Sequence, residues 1–243
     1  MAAPRTLMRS LCRLILWCVA VFFGLTATAV LALRWCAPIS SAFMLEAQVA
    51  ARVSGDNNYS THYEWTPYSA ISSHMKLAVI ASEDQKFAFH PGFDFDAIDS
   101  AIKERERGKK LRGASTISQQ VAKNLFLWPG QNLTRKALEA YFTVLIELLW
   151  PKQRILEMYL NIAEFGNGIY GVGAAAPRFF HTDALHLSQR DAALLTTVLP
   201  SPKHLHADRP GPYMYRRADW IIQQMNALGG KSYILEVERA SQR

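Results

Sequence analysis

Residues 138–162 read LEAYFTVLIELLWPKQRILEMYLNI, and this stretch decides the fold class. On both sides of Trp150 and Pro151, apolar side chains recur every three or four residues, as they do on the buried face of a helix. Proline suits the start of a helix and disfavours helix in the residue before it, so this pair separates two helices. Alternating patterns typical of strands are scarce elsewhere in the chain. The sequence therefore predicts a mainly α fold.

The same helical spacing continues outward along the chain. Residues 214–228 carry apolar side chains at helical intervals and predict a last helix. Nearer the N-terminus, after the apolar run described below, a juxtamembrane helix is expected to begin near Ser41 and to end at the turn-rich SGDNNYS, residues 54–60. Residues 200–212 contain four prolines, so we expect a loop there.

The N-terminus carries an uncharged apolar run from Leu14 to Leu33. About 20 apolar residues in a helix match the ~30 Å hydrocarbon core of a bilayer. Arg5, Arg9 and Arg13 precede the run, and the positive-inside rule keeps them in the cytoplasm. The run therefore predicts a single-pass anchor, with the rest of the chain on the outer side of the cytoplasmic membrane. The alternative is a cleaved signal peptide, whose apolar region is usually only ~7–15 residues long.

Charge and composition narrow the classes of partner. The 243 residues are 50% hydrophobic, which argues against a disordered chain, and their formal net charge of +7 favours an anionic partner. The folded part of the chain after the anchor, here called the body, is expected outside the cytoplasmic membrane. It would meet no genomic DNA there, which argues against a nucleic acid as its partner. Cys12, Cys18 and Cys36 are the only cysteines, so the body has neither a disulfide scaffold nor a cysteine zinc site.

The chain is expected to divide into four segments. These are a short cytoplasmic N-terminus (1–13), a transmembrane anchor (14–34), a juxtamembrane segment (35–60) and one folded domain (61–243).

A pair of adjacent carboxylates opens the first polar motif, EDQKFAFHPG at residues 83–92. It follows the apolar run 77–81, which predicts a buried helix. Carboxylates at the end of such a helix are costly unless they are solvated, paired or used. Glu83 is therefore a candidate general base, and a solvated surface turn is the alternative.

The second polar motif is GASTISQQVAKN at residues 113–124. Ser115 or Thr116 can cap a helix there, and Gln119 and Lys123 would then share one helical face. Such a face suits an anionic or sugar ligand, and an ordinary exposed helix face is the alternative.

A third cluster combines two cations with one carboxylate. Arg135 and Lys136 lie four and three residues before Glu139, so all three meet on one side of a helix. The alternative is an exposed ion pair within the helix, worth only ~0.3–0.5 kcal/mol. In the amphipathic KQRILEMYLN at residues 152–161, Asn161 is expected to cap the helix or to hold the loop that follows.

Together these motifs resemble the peptidoglycan glycosyltransferases of bacterial cell-wall synthesis, a family with a lysozyme-like fold. The matching segments, in the family's order, are EDQKFAFHPGFD (83–94), GASTISQQVAKN (113–124), RKALE (135–139), KQRILEMYLN (152–161) and DAALLTTVLPSP (191–202). The chain ends at Arg243 without room for a transpeptidase domain, so the resemblance is to the monofunctional biosynthetic transglycosylases. Ala114 and Ser118 depart from the usual Gly and Thr, and Gln131 and Asn132 stand where many relatives carry a basic residue.

The resemblance implies that lipid II is polymerised into linear glycan strands by inverting β-1,4 glycosyl transfer, with release of undecaprenyl pyrophosphate. It implies that Glu83 is the general base and Glu139 the second essential carboxylate. Lys123, Arg135 and Lys136 would contact the pyrophosphate. The supporting substrate-binding residues would be Asp84, Ser115, Thr116, Gln119, Gln120 and Asn124.

The resemblance also sets expectations for cofactors and partners. A divalent cation, Mg²⁺ or Mn²⁺, at the donor pyrophosphate is the one cofactor expected, and the sequence has no metal-binding motif of its own. The expected partners are lipid II, the growing glycan strand, lipids of the cytoplasmic membrane, and other proteins of wall synthesis or division. The basic stretch KERERGKKLR at residues 103–112 is a candidate for contact with lipid headgroups, with a solvated loop as the alternative.

Two other functions stay open on the sequence alone. One is a lytic enzyme of the same lysozyme-like fold that cleaves glycan strands. The other is a non-catalytic membrane scaffold for the wall machinery. A dinucleotide site is not predicted, because the G-x-G-x-x-G match at residues 166–171 follows a helical pattern instead of a strand.

Overall fold

The computed structural model of the protein describes residues 3–107, 115–130 and 132–242. The chain divides into two compact units, Met1–Pro38 and Ile39–Arg243. The helices are α1 (Ala3–Ala32), α2 (Ala42–Ser54), α3 (Ser73–Glu83), α4 (Phe95–Glu106), α5 (Ile117–Phe126), α6 (Leu133–Leu149), α7 (Lys152–Ile162), α8 (Gly171–Phe180), α9 (Gln189–Thr197), α10 (Pro212–Ala227) and α11 (Lys231–Ala240). The strands are β1 (His62–Tyr63), β2 (Glu164–Gly166) and β3 (Ile169–Tyr170), and a short 3₁₀ turn spans Tyr68–Ala70. The predicted mainly helical fold is confirmed.

The first unit contains the apolar helix α1. Its part from Met8 to Ala32 is long and apolar enough to cross a membrane, judged by length and composition. An N-terminal apolar helix is therefore confirmed at the place where the sequence predicts the anchor.

The core of the second unit is built on α3 and α7. Every residue of α3 from Met75 to Ala81 is buried, and α7 is buried along nearly all of its length. Ser72 caps α3 by accepting a hydrogen bond from Met75 N at 3.1 Å. Helix α5 packs on both α6 and α7, while α3 packs on α9 and α10. The two buried helices predicted on either side of Trp150 are thus confirmed.

A small three-stranded sheet lies beside this core, with the order β1–β3–β2, β1 parallel to β3 and β2 antiparallel to it. The glycine-rich run 166–171 forms the hairpin of β2 and β3 and the start of α8. Gly168 and Gly171 have φ of 73° and 80°. A Cβ at Gly168 would stand 2.3 Å from Ser60 O, and one at Gly171 would stand 2.6 Å from Asn161 O. Close backbone packing therefore requires these glycines.

The helix predicted at residues 214–228 is present as α10, but the prediction that it is the last helix is wrong, because α11 follows it. Gly229 and Gly230, with φ of 90° and 61°, make the turn between α10 and α11. The core face of α11 is short and consists of Tyr233, Ile234 and Val237. Its charged flanking residues hide this spacing in the sequence.

Of the two roles predicted for Asn161, holding the following loop is wrong, because its side chain holds an earlier segment. Asn161 Oδ1 accepts a hydrogen bond from Thr66 N at 2.7 Å, and its Nδ2 donates to Thr66 O at 2.8 Å. The partner is 95 residues away in the chain, so local spacing could not indicate it. Asn161 Nδ2 also donates to Glu157 O within α7 at 2.8 Å.

Candidate active site

Glu83 is the last residue of α3 and is half-buried. Its Oε1 accepts a hydrogen bond from Ser82 Oγ at 3.1 Å, and its Oε2 accepts one from Gln120 Nε2 at 3.0 Å. Both donors are neutral, and each carboxylate oxygen can accept a second hydrogen bond. The carboxylate is therefore held in place with capacity left to take a proton.

Gln120 is itself oriented by Tyr159, whose hydroxyl donates to Gln120 Oε1 at 3.2 Å. Burial raises the pKa of Tyr159 well above its ordinary value, and the carboxylates of Glu83 and Asp84 raise it further. The phenol thus stays protonated and can act as a fixed donor. Because the amide oxygen of Gln120 faces this donor, its NH₂ group points to Glu83.

Asp84 joins the end of α3 to the start of α5. Its Oδ1 accepts from His90 Nε2 at 2.8 Å, and its Oδ2 accepts from Ile117 N, the first helical residue of α5, at 3.0 Å. His90 Nδ1 accepts from Gly92 N at 3.1 Å, which assigns the ring proton to Nε2. The structure therefore gives Asp84 a positioning contact between two elements of the site.

The start of α5 is a complete capping box. Thr116 Oγ1 accepts from Gln119 N at 3.2 Å, and Gln119 Oε1 accepts from Thr116 N at 3.0 Å. Thr116 Oγ1 also donates to Gly92 O at 2.6 Å. Of the two predicted caps, Thr116 is the one used, while Ser115 lies just before the helix and is exposed.

A buried network behind the site was not assigned from the sequence. Lys152 Nζ donates to His90 O and to Glu147 Oε1, both at 2.7 Å, and Ser118 Oγ donates to the same Glu147 oxygen. This network ties α5, α6 and α7 to the loop after Glu83.

The cluster of Arg135, Lys136 and Glu139 is assembled as the spacing predicts. Arg135 Nη1 lies 2.7 Å from Glu139 Oε2, and Lys136 Nζ pairs with Glu139 Oε1. Arg135 and Glu139 are only 7% and 3% exposed, so this is not the ordinary exposed ion pair that was the alternative. Arg135 Nε is buried without a hydrogen-bond partner among the described residues.

Two cavities meet at Glu83 and Gln120. A cavity of about 270 Å³ is lined by Glu83, and one of about 390 Å³ is lined by Gln120. The hydrogen bond between the two side chains joins the cavity walls. The smaller cavity is lined by Glu83, Asp84, Gln85, Lys86, Asp94, Ala97, Ser115 and Thr116. The larger is lined by Phe43, Gln120, Lys123, Asn124, Tyr159, Ile162, Ala163, Glu164, Tyr170, Leu199, Ser201, Pro202, Lys203 and His204.

Most of the predicted site residues are brought together around these cavities. Asn124 presents a buried Oδ1 that has no hydrogen-bond partner among the described residues. Four predicted site residues line neither cavity: Gln119, Arg135, Lys136 and Glu139. The side chain of Gln119 is used in the capping box. A third cavity of about 830 Å³, next to β1 and α8, contains none of the predicted site residues.

Lys123 connects the two halves of the site. Burial lowers its pKa, Arg135 and Lys136 lower it further, and Glu139 and Glu83 raise it. Lys123 lines the same cavity as Gln120, the hydrogen-bond partner of Glu83, and its helix α5 packs on α6, which carries the cluster of Arg135, Lys136 and Glu139. An ammonium group that is buried beside other cations gains most when an anion binds.

Lys203 and His204 also line the site, although the sequence did not predict them as site residues. They come from the proline-rich loop after α9 and line the same cavity as Lys123. Glu164 lines it too, and burial raises the pKa of this carboxyl while Lys203 lowers it. Asn132 does not replace the missing basic residue, because its side chain caps α6 by accepting from Arg135 N at 2.7 Å.

Several predicted features lie outside the described residues. These are Gln131, the start of the second motif at residues 113–114, and residues 108–112 of the basic stretch.

The family model described as Transglycosylase matches residues 48–226, which contain every predicted site residue. The chain belongs to the transglycosylase family. It is 50% identical over 233 residues to a biosynthetic peptidoglycan transglycosylase of Pseudomonas entomophila, covering 96% of this chain and 97% of that protein. It is 51% identical to the protein of the same description in Pseudomonas putida, and 48% identical to that in Xanthomonas axonopodis pv. citri, each over 96% of this chain and 97% and 95% of theirs. The expected family and enzyme class, a peptidoglycan glycosyltransferase, are thereby confirmed.

Proposed function

We propose that this transglycosylase polymerises lipid II, the lipid-linked disaccharide precursor, by inverting glycosyl transfer. The 4-hydroxyl of the acceptor sugar attacks the anomeric carbon of the donor as the bond from that carbon to the diphosphate oxygen breaks. The hydroxyl proton goes to Glu83, and undecaprenyl diphosphate leaves. The observation that carries the proposal is the hydrogen bond between Glu83 and Gln120, because Gln120 lines the same cavity as the cation Lys123.

Glu83 is suited to the role of general base. A sugar hydroxyl is a poor nucleophile near neutral pH, so a base must take its proton in the transition state. Ser82 and Gln120 hold the carboxylate, and it lines a cavity that can admit a hydroxyl.

The cations suit a leaving diphosphate. Its negative charge grows as the glycosidic bond breaks, and cations already fixed in place stabilise that charge without reorganising. Glu139 fixes Arg135 and Lys136, while Lys123 and Lys203 line the larger cavity. The proposed substrate-binding residues are Ser115, Gln120, Lys123, Asn124, Arg135 and Lys136. Asp84, Thr116 and Gln119 are proposed to support binding by holding the start of α5 in place.

The described side chains do not fit a resident metal site. They contain no group of three or more His, Cys, Asp or Glu that could hold an ion. Both oxygens of Glu139 already accept from cations. A Mg²⁺ or Mn²⁺ ion at the diphosphate therefore stays a proposal, and assays with and without EDTA test it.

Polymerisation of labelled lipid II by the full chain tests the proposed function. We expect the wild type to make polymer and Glu83→Gln to lose about 10²–10⁴-fold in rate. Glu236→Gln, which changes a carboxylate paired with Arg239 on α11, is the matched control and should keep full activity. Release of fragments from mature sacculi without polymer would instead support the lytic alternative. Full polymerisation by Glu83→Gln would rule out Glu83 as the base.

A further inference from the structure

Helix α2 has two apolar faces, and among the described residues only one of them is covered by the domain. Met44 and Ala47 are buried, with 1% and 8% of their surface exposed. Leu45, Val49 and Val53 are 53%, 55% and 84% exposed.

These three residues form one continuous stripe. They are spaced by four residues, and each step of four turns the helix by only about 40°, so the stripe is about 80° wide. At about 100° per residue, its centre lies roughly opposite the face that contains Met44 and Ala47. An ordinary surface helix would place polar side chains there.

We propose that this stripe of Leu45, Val49 and Val53 lies in the interface of the lipid bilayer that α1 spans. The proposal rests on the membrane anchor expected from the N-terminal run. Only residues 33–41 join α1 to α2 in the chain, and nine residues of extended chain reach at most about 30 Å. Helix α2 is therefore tethered close to the membrane surface by its covalent connection.

The chemistry of the stripe favours lipid over a protein partner. Amphipathic helices at membranes insert aliphatic side chains into the boundary between headgroups and acyl chains. The exposed Arg52 next to the stripe can reach lipid phosphates. Three aliphatic side chains alone fall well short of the ~800 Å² that each partner buries in a typical stable protein interface.

The position of α2 gives this contact a consequence for the substrate. Helix α2 packs on α5, which carries Gln120 and Lys123, and Phe43 of α2 lines the larger cavity beside them. A membrane-seated α2 would hold this cavity near the lipid surface. A lipid-linked substrate could then reach the cations while its tail stays in the bilayer.

Depth measurements on the full chain test the proposal without needing activity. A single cysteine is placed at Val49, at Ala50 or at Ser232 after Cys12, Cys18 and Cys36 are changed to Ser, and it is labelled with an environment-sensitive fluorophore. The chain is reconstituted in vesicles of phosphatidylethanolamine and phosphatidylglycerol with brominated acyl chains. Ala50 is exposed on α2 beside the stripe, and Ser232 is exposed on α11.

We expect the probe at residue 49 to be quenched by the brominated lipid several-fold more than the probe at 50, and the probe at 232 not to be quenched. Accessibility of the probe at 49 to aqueous iodide, equal to that at 232, would overturn the proposal. Protection from both iodide and brominated lipid would also overturn it, since a protein would then cover the stripe.

A second variant separates the membrane contact from folding and from catalysis. Because Val49 is exposed, Val49→Asp should keep the melting temperature of the wild type. We expect it to slow polymerisation several-fold in vesicles and to leave the rate on detergent-dispersed lipid II unchanged, whereas Ala50→Asp should leave both rates unchanged. Equal rates of Val49→Asp and wild type in vesicles would contradict the proposal. If the wild type made no polymer at all, the proposed function would fail, and the depth measurement would still decide this inference.

Discussion

Lys123 is partly buried, and burial together with Arg135 and Lys136 lowers its pKa. Its positive charge therefore destabilises the folded state, although binding of an anionic substrate requires that charge. Lys123→Met keeps an apolar stem of similar length and removes the charge. We expect the free energy of unfolding to rise at neutral pH and the polymerisation rate to fall by about 10²–10³, since one fixed donor to the developing charge is lost. Denaturation in detergent and the lipid II assay measure the two effects.

The sign of the pH dependence at Lys123 follows from proton binding. The folded state holds the pKa of Lys123 below its ordinary 10.5, so the unfolded chain binds more protons between those two pKa values. In that window the contribution of Lys123 to the free energy of unfolding of the wild type therefore rises with pH. The difference in free energy of unfolding between Lys123→Met and the wild type should shrink accordingly. Lys231→Met, an exposed change on α11, is the control. A variant less stable than wild type at neutral pH would contradict this account.

The two carboxylates proposed as catalytic, Glu83 and Glu139, should respond differently to the same neutral substitution. Glu139 lies in a buried ion pair, so Glu139→Gln leaves Arg135 with an uncompensated charge, which typically costs about 3–5 kcal/mol. Glu83 has neutral partners, so Glu83→Gln should leave the free energy of unfolding almost unchanged. We expect both variants to lose polymerisation and only Glu139→Gln to show a lower melting temperature. Equal melting temperatures would show that the pair on α6 contributes little to folding.

At the scale of elements, Asp84 ties the end of α3 to the first turn of α5. Asp84→Asn keeps the shape of the side chain but replaces one accepting oxygen with an NH₂ group. The single oxygen that remains cannot accept hydrogen bonds from both His90 Nε2 and Ile117 N in their present positions. We expect a loss of about 1–3 kcal/mol in unfolding free energy and a partial loss of rate, because Glu83 and Gln120 would no longer be held in register. Thermal melting and the lipid II assay measure these. Asp183→Asn, in an exposed pair with His186, is the control, and a wild-type melting temperature for Asp84→Asn would contradict the positioning role.

The helices and the site were unequally predictable. Residues 138–162 fix two helices by local periodicity, and Ser41 and Thr116 mark helix starts by capping chemistry, so the structure agrees there. The contact of Asn161 with Thr66 and the place of Lys203 beside Lys123 depend on chain segments that meet only after folding. Local spacing contains no information on such contacts.

The charges in the first turns of α1 predict the orientation of the whole molecule in the membrane. Arg5, Arg9 and Arg13 precede the apolar span and no acidic residue does. Arginine-rich flanks stay in the cytoplasm, so the domain that begins at Ile39 is expected in the periplasm, where lipid-linked wall precursors are polymerised.

Labelling of single cysteines in the full chain tests this orientation. In a chain whose native cysteines are changed to Ser, Ser232→Cys should react with a membrane-impermeant maleimide in cells with a permeabilised outer membrane. Ser10→Cys should react only after the inner membrane is broken. Both positions are exposed in the protein, and Ser10 lies between Arg9 and Arg13, before the uncharged run that begins at Leu14. A difference in reactivity therefore reports the side of the membrane. Loss of the Ser10→Cys site from the mature chain, seen by mass, would instead reveal a cleaved signal peptide, and the reverse labelling pattern would place the catalytic carboxylates on the wrong side of the membrane for this reaction.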